Sequence, residues 1–199
     1  MSKITAWSEE NVSLTALRDR QYQPSNGIDV PDRLFAQNSR GISNGTMNLT
    51  LFTPTRTMTV SNITVASLTG ASDGSGTTVR KMGLFTVNGL NVTCVARTAN
   101  KTSLLTANST LYPEPFTSEA GYSSSYTLLA GTTYACGLLC YNTGGTYGTP
   151  SVAGFQNANP TLSTITPYVV LSASSQTDIT NTTVTAGTGA GGSAWFRLT

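Results

Sequence analysis

The sequence lacks histidine altogether and holds few charged residues. Without histidine the chain has neither the commonest general base nor the commonest metal ligand, so most catalytic triads are excluded. Charged residues make up 10% of the 199 residues, and the net charge is +2. No run of Lys or Arg could neutralise a row of phosphates, so we expect no nucleic-acid partner.

Long apolar runs are also absent. No stretch approaches the roughly 20 apolar residues that span a bilayer, and residues 1–10 lack the apolar centre of a signal peptide. We therefore expect no membrane partner, and a chain made and folded in a cytoplasm.

Cysteines are few and odd in number: Cys94, Cys136 and Cys140. On one strand, Cys136 and Cys140 would lie about 13 Å apart, from four steps of roughly 3.3 Å. That separation exceeds the roughly 7 Å limit for a disulfide. We predict three reduced cysteines, with Cys136 and Cys140 acting as small buried apolar residues.

Thr and Ser are abundant and together exceed a quarter of the chain. Such a composition disfavours helices and favours strands joined by turns, so the predicted fold class is all-β.

Charge divides the chain unevenly. Ten of its twenty charged residues lie within residues 1–40, a segment interrupted by Pro24, Asn26-Gly27 and Pro31. We predict an extended N-terminal arm over residues 1–42, for attachment or subunit linking, and a β-domain over 43–199. A short helix from Glu9 to Leu17 is the alternative reading within the arm.

The β-domain shows the alternation of apolar and polar residues that strands require. This period of two predicts strands at Met47–Leu51, Met58–Val60 and Ile63–Val65. Val79–Val87 and Leu90–Arg97 flank Asn88-Gly89, which predicts a hairpin with a type I′ turn.

Further strands follow a proline-interrupted loop at 112–116. Tyr122–Leu129 and Thr132–Tyr141 read as strands joined by Ala130-Gly131, and the apolar run in the second predicts a central strand covered on both faces. Strands at 161–172 and 194–198 complete the set, with Trp195 and Phe196 on opposite faces. The natural closure is an antiparallel β-sandwich of jelly-roll type.

Candidate catalytic groups are scarce. A glycosidase-like pair would need two of the four acids of the β-domain to face each other across a cleft; these are Asp73, Glu114, Glu119 and Asp178. Glu114 and Glu119 are close in sequence, but they flank a proline-rich loop, which favours solvated loop charges. We predict no catalytic, metal or cofactor residues and no enzymatic activity.

Three other patterns indicate structure rather than chemistry. Asp73-Gly74-Ser75-Gly76 lacks the closing Glu of a calcium loop, and Gly187–Gly192 lacks the Lys and helix of a phosphate loop, so both are predicted to be plain loops. Tyrosines could line a sugar-binding face, although core or interface packing is the favoured role. They are Tyr112, Tyr122, Tyr126, Tyr141 and Tyr147.

Three runs within residues 79–142 carry a resemblance. They are Met82-Gly-Leu-Phe-Thr-Val87, Cys94-Val-Ala-Arg-Thr-Ala99 and Ser125-Tyr-Thr-Leu-Leu-Ala-Gly-Thr-Thr-Tyr-Ala135. Together they resemble a β-sandwich module of tail and capsid-surface proteins of tailed bacteriophages, especially those of actinobacterial hosts. The motifs are strand and turn signatures, so the resemblance implies a fold and association with a virion, and it transfers no catalytic residue.

The resemblance implies two functions. A capsid decoration or minor capsid protein would bind the major capsid protein through its arm, whereas a minor tail or receptor-binding protein would contact the host surface, with a host glycan as a further partner. The capsid role is favoured because receptor-binding chains are usually longer. The resemblance also implies a homotrimer, for which Trp195, Phe196 and several tyrosines could supply interface aromatics. An enzyme that cleaves host polysaccharide is the third reading.

Overall fold

The computed structural model describes residues 27–30, 38–144, 146–155, 170–188 and 192–199. Within these ranges all helical structure is a single 3-10 turn, Glu119–Gly121, and the strands pair antiparallel. Numbered in chain order, the strands of the described residues are β1 Ile28–Val30, β2 Asn38–Gly41, β3 Met47–Phe52, β4 Met58–Val60, β5 Asn62–Thr69, β6 Thr78–Asn88, β7 Asn91–Arg97, β8 Leu111–Pro115, β9 Tyr126–Leu128, β10 Tyr134–Asn142, β11 Ser151–Phe155, β12 Val170–Ala173, β13 Thr183–Thr185, β14 Gly187–Thr188, β15 Ser193–Ala194 and β16 Phe196–Leu198. The predicted all-β class is confirmed.

Two large sheets and one small one contain these strands. In the first sheet the order is β1-β16-β5-β11-β15, with β2 also paired to β11 and β8 to β5. In the second sheet the order is β13-β7-β6-β10-β3-β12-β14. A two-stranded sheet joins β4 to β9. Neighbours in the large sheets are mostly distant in sequence, so the fold depends on long-range pairing.

A shared apolar core lies between the large sheets. The first sheet contributes residues such as Ile63, Val65 and Phe196, and the second contributes residues such as Met82 and Leu138, all fully buried. Side chains of both sheets therefore meet in one layer, which is the arrangement of a β-sandwich. The sandwich-like fold is confirmed, whereas the jelly-roll connection of its strands stays a prediction.

The outer face of the second sheet carries an apolar cluster of its own. Leu49, Phe85 and Leu139 pack there, and the Phe85 ring lies over two strand glycines. A Cβ added to Gly137 would stand 2.6 Å from Phe85 Cε2, and one added to Gly83 would stand 2.9 Å from the same atom. Glycine is thus required where the aromatic ring approaches the backbone.

β10 is the central strand of the second sheet. It pairs with β6 on one side and β3 on the other. Cys136 and Leu138 face the shared core, while Ala135 and Leu139 face the outer cluster. The prediction of a central strand covered on both faces is confirmed.

The hairpin of β6 and β7 is also confirmed, but its turn differs from the predicted one. Asn88 pairs with Asn91, which leaves Gly89 and Leu90 as the turn residues. Of Asn88, Gly89 and Leu90, only Gly89 has a positive φ, at 61°. A positive φ at the first central position alone is typical of a type II′ turn. The prediction was therefore wrong in the turn type, and the two central residues are 89 and 90 instead of 88 and 89.

The segment around residues 112–116 is an edge strand, β8, and not the predicted loop. Phe116 N–H donates to Ser61 O, so the backbone N–H groups of the even-numbered residues of β8 point toward β5. Pro113 and Pro115 have their missing N–H groups on the opposite side. Proline is tolerated in a strand at such an edge position because no ladder hydrogen bond is lost.

β9 does not pair with β10. It pairs with β4, through Val60 opposite Tyr126 and Met58 opposite Leu128. The two predicted strands around Ala130-Gly131 exist in shortened form, and Gly131 adopts a positive φ of 77° between them. The connection therefore crosses between sheets and does not close a hairpin.

Part of the predicted arm belongs to the first sheet. β1 pairs with β16, and β2 pairs with β11. Ile28, Val30 and Ile42 are fully buried in the shared core. The extent predicted for the arm, 1–42, is thus corrected at 27–30 and 38–42, since those residues complete the sandwich. The predicted helix at 9–17 and most of the strand at 161–172 lie outside the described residues.

Candidate functional site

The outer face of the first sheet carries a groove of about 460 Å³. Its volume lies in the range of small-molecule sites, about 300–1,000 Å³. The residues that line it are Thr64, Ala66, Leu111, Pro113, Ala153, Trp195, Arg197 and Thr199. Their strand neighbours Val65, Phe196 and Leu198 point into the shared core. Alternation along each strand therefore gives this sheet an apolar inner face and a mixed outer face.

Trp195 lies in the groove between β15 and β16. Its backbone N–H donates to Ala153 O at 2.8 Å, and the residue is 5% exposed. Within the described part of the chain, its side-chain Nε1 is buried and has no hydrogen-bond partner. A buried indole N–H usually finds an acceptor, and leaving such a donor unpaired costs about 1–3 kcal/mol.

Arg197 supplies the charged group of the groove. It lies opposite Asp29 in the register of β16 and β1, with Arg197 Nε 4.0 Å from Asp29 Oδ1. The Asp29 side chain is 1% exposed and the Arg197 side chain 30% exposed. The carboxylate therefore offsets part of the guanidinium charge.

Three of the four candidate acids, Asp73, Glu114 and Asp178, are held in separate ion pairs. Asp73 Oδ1 lies 3.1 Å from Arg80 Nη2, and Asp178 Oδ1 lies 2.6 Å from Lys81 Nζ. Glu119 is exposed in the 3-10 turn. None of these contacts joins two acids across a cleft in the described residues.

Glu114 corrects the prediction of a solvated loop charge. It lies on β8 between Tyr112 and Phe116, whose side chains pack in the shared core, and it is only 9% exposed. Its Oε1 forms an ion pair with Lys101 Nζ. Because β8 is a strand, Glu114 points inward with its even-numbered neighbours, and Lys101 provides the cation that such burial requires.

The pair of Asp73 and Arg80 joins three loops. Arg80 is fully buried, and its Nη1 donates to Leu104 O at 2.6 Å. Asp73 Oδ1 also accepts a hydrogen bond from Gly148 N–H at 3.1 Å. The Asp73 segment is thus a structural loop in which the carboxylate balances a buried cation.

A second polar cluster lies at the outer face of the second sheet. Arg97 Nη1 is 3.6 Å from Asp178 Oδ2, and the Arg97 guanidinium lies 4.5 Å from the centroid of the Tyr122 ring. Burial raises the pKa of nearby Cys94 to about 12, although Arg97 acts in the opposite direction. The thiol is therefore protonated at neutral pH and is a poor nucleophile.

All three cysteines are unpaired thiols, as the spacing predicts. Burial raises the pKa of Cys140 to about 12 and also raises the pKa of Cys136. Both lie in the shared core on β10. They act as small apolar side chains, in agreement with the sequence.

The tyrosines do not form one sugar-binding face. Tyr112 packs in the shared core, where its hydroxyl accepts a hydrogen bond from Ala107 N–H at 2.8 Å. The Tyr147 hydroxyl donates to Ile42 O at 2.7 Å, and Tyr126 packs edge-on against Tyr134. Trp195 is the aromatic residue of the groove. The predicted opposite orientation of Trp195 and Phe196 identified its face, but nothing in the sequence indicated a groove there.

Phe196 is fully buried in the shared core. It therefore cannot serve as an interface aromatic, which corrects that expectation.

Comparison with protein-family models and with curated proteins found no match to this chain. In the described ranges, no group of three or more His, Cys, Asp or Glu side chains could hold a metal ion. No helix in those ranges is long and apolar enough to cross a membrane. The groove is thus the candidate site that the geometry provides.

Proposed function

We propose that this protein is a non-enzymatic structural component of a tailed-bacteriophage particle, a capsid decoration or minor capsid protein of jelly-roll type. The observation that carries the proposal is the location of the resembling segment, residues 79–142. That segment spans most of β6 and all of β7 and β10, which are adjacent in the second sheet. The three quoted runs lie in β6, at the end of β7, and in β9 with the start of β10, so they follow strands and turns of this fold, which supports a likeness of fold to the virion module.

Attachment to the particle is assigned to residues 1–26. They hold six of the twenty charged residues, with alternating signs at Arg18-Asp19-Arg20. Alternating charge suits pairing with a mixed protein surface, such as the major capsid protein, better than attraction to a polyanion. The segment joins the domain at Gly27, where an added Cβ would stand 2.5 Å from Leu198 O. The attachment point thus lies beside the C-terminal strand.

The test of the virion role is co-purification. A tagged chain produced during phage infection should sediment with gradient-purified particles at a fixed copy number. Particles that form and lack the chain would overturn the proposal.

A chain without residues 1–26 tests the attachment. It keeps β1 and β2, which complete the first sheet. We expect it to be soluble and folded by circular dichroism, and absent from the particles. Incorporation equal to that of the full chain would instead assign attachment to the β-domain.

The groove favours a second candidate, a minor tail or receptor-binding protein that contacts the host surface. An outward-facing site with donor groups and apolar walls suits recognition of a ligand more than it suits lattice contacts. Immunogold labelling of intact particles separates the two candidates, since label would lie on the shell in one case and on the tail in the other.

The proposal includes a homotrimer. Leu111 and Leu129 are apolar residues at the surface, 61% and 54% exposed, and could contribute to contacts between subunits. Light scattering of the purified protein should give three times the chain mass. A monomer both in solution and in chemically cross-linked particles would exclude the trimer.

A further inference from the structure

Asparagine followed by glycine occurs at three places in the chain: Asn26-Gly27, Asn44-Gly45 and Asn88-Gly89. Such pairs are open to spontaneous deamidation, because glycine has no side chain to shield its backbone nitrogen from the asparagine amide. Asn26 lies outside the described residues. Of the other two pairs, we propose that Asn88 is the deamidation site of the folded domain, whereas the fold protects Asn44. This chemistry does not depend on the virion role.

The reaction needs water as its one co-reactant. The backbone nitrogen of Gly89 attacks the side-chain carbonyl carbon of Asn88 and loses its proton, so a new C–N bond forms. The C–N bond of the side-chain amide breaks, and ammonia leaves. Water then opens the cyclic imide at one of its two carbonyl groups and gives aspartate or isoaspartate. Either product carries one carboxylate that asparagine lacks, so the net charge of the chain falls from +2 to +1.

The end of the β6–β7 hairpin leaves the reacting groups of Asn88 and Gly89 accessible. Both residues are exposed, as is Leu90 beside them. Among the described residues, neither the Asn88 side chain nor the Gly89 N–H has a hydrogen-bond partner. A Cβ at Gly89 would meet nothing within 4 Å. The turn can therefore rearrange for the attack without disturbing the core, as exposed loop tips do.

Asn44 is also exposed, but every group that the reaction uses is held. Its Nδ2 donates to Asn142 O at 3.2 Å, and its Oδ1 accepts from Asn142 N–H at 2.9 Å. The attacking nitrogen is occupied as well, because the buried Gly45 donates its N–H to Cys140 O at 2.9 Å. Attack at Asn44 thus requires three hydrogen bonds to break, which should slow it by roughly tenfold or more relative to Asn88.

Peptide mapping of the full chain tests the proposal, because trypsin places the three pairs in separate peptides, 21–33, 41–56 and 82–97. The folded chain is incubated at mildly alkaline pH, and mass spectrometry follows deamidation in each peptide over time. We expect peptide 82–97 to deamidate roughly tenfold or more faster than peptide 41–56. In guanidinium chloride, where the fold is lost, the two peptides should react at similar rates. Equal rates in the folded chain would overturn the proposal.

Two variants locate the reaction within peptide 82–97. Asn88→Gln should abolish the fast deamidation, because glutamine would have to close a larger and less favourable ring. Asn91→Gln is the matched control and should leave the rate unchanged. Asn91 is exposed in the same hairpin, but the branched side chain of Val92 shields the nitrogen that follows it. Fast deamidation that persists in Asn88→Gln and disappears in Asn91→Gln would place the reaction at Asn91 and overturn the assignment.

Discussion

The two large sheets share one core but differ in what their outer faces carry. On the second sheet, Phe85 and Leu139 pack in an apolar cluster on the outer face. On the first sheet, Trp195 and Arg197 lie in an open groove. The second sheet therefore uses both faces for packing, while the first packs one face and carries an open groove on the other. Substitutions in the two sheets should differ accordingly.

The largest effect is expected from removing the anion that balances the fully buried Arg80 of β6. Asp73→Ala leaves this guanidinium without its carboxylate, which should lower the free energy of unfolding by about 3–5 kcal/mol. Urea denaturation measures the change. Glu119→Ala is the control, since Glu119 is exposed and should change stability by less than about 0.5 kcal/mol. Equal effects of the two variants would contradict a structural role for the buried pair.

Truncating a leucine tests the comparison of the sheets directly. Leu138→Ala in β10 creates a cavity in the shared core and should cost about 2–5 kcal/mol. Leu111→Ala in β8 removes a side chain that is 61% exposed and should cost less than about 0.5 kcal/mol. Thermal unfolding of both variants gives the difference. A large loss for Leu111→Ala would mean that the outer face of the first sheet is a packing surface after all.

Adding a methyl group to β10 tests how tightly the second sheet is covered. Gly137→Ala places Cβ 2.6 Å from the Phe85 ring and 2.9 Å from Leu49 Cδ2, and should cost about 1–3 kcal/mol. Gly187→Ala is the matched control, because its Cβ would meet its nearest atom at 3.9 Å. Adding Phe85→Leu to Gly137→Ala should recover part of the loss in chemical denaturation. If the changes in unfolding free energy of the two single variants simply add in the double variant, contact with the Phe85 ring does not cause the loss in Gly137→Ala.

The pH dependence of stability probes the same sheet, since all three thiols lie in β7 and β10. Burial raises the pKa of Cys94 and Cys140 from 9.0 to about 12. The folded protein keeps protons that the unfolded chain loses, so this stability is complete below pH 9.0 and declines as the pH rises toward about 12. At a pH of about 10 the loss should be about 1 kcal/mol per thiol.

Denaturant midpoints measured across that pH range test this expectation. Cys140→Ala should make the decline shallower than it is in the unmodified protein. An identical decline in both proteins would show that other groups cause it.

The smallest effect is expected at the turn of the β6–β7 hairpin. Gly89 has a φ of 61°, and a Cβ there would meet nothing within 4 Å. Gly89→Ala therefore adds conformational strain alone and should cost about 1 kcal/mol. Gly89→Asn, which tolerates this φ better, should cost less. Equal thermal unfolding midpoints for Gly89→Ala and the unmodified protein would contradict the positive φ at this position.

Local patterns in the sequence predicted much of the second sheet. The apolar run of β10 indicated burial on both faces, and the alternation at Met47–Leu51 indicated β3, because strand side chains point alternately to opposite faces. The hairpin at residues 88–91 was predicted because its turn is a local feature. The position of the turn is one residue further along the chain than predicted, because Asn88 pairs with Asn91.

Long-range pairing decided the features that the sequence missed. β8 was predicted to be a loop because its prolines break strands, yet an edge position leaves their missing N–H groups without consequence. Glu114 became a buried charge only because that strand turns it inward toward the core, where Lys101 balances it. β9 pairs with β4 and not with its sequence neighbour β10. None of these choices follows from residues close in the chain.

The sequence by itself determined the all-β class, the doubly covered strand β10 and the absence of a disulfide between Cys136 and Cys140. Each of these follows from composition or from spacing within one strand. The tertiary structure alone decided the ion pairs, the inclusion of β1 and β2 in the first sheet, and the groove. The groove is lined by residues from 64 to 199, so it exists only where distant strands become neighbours.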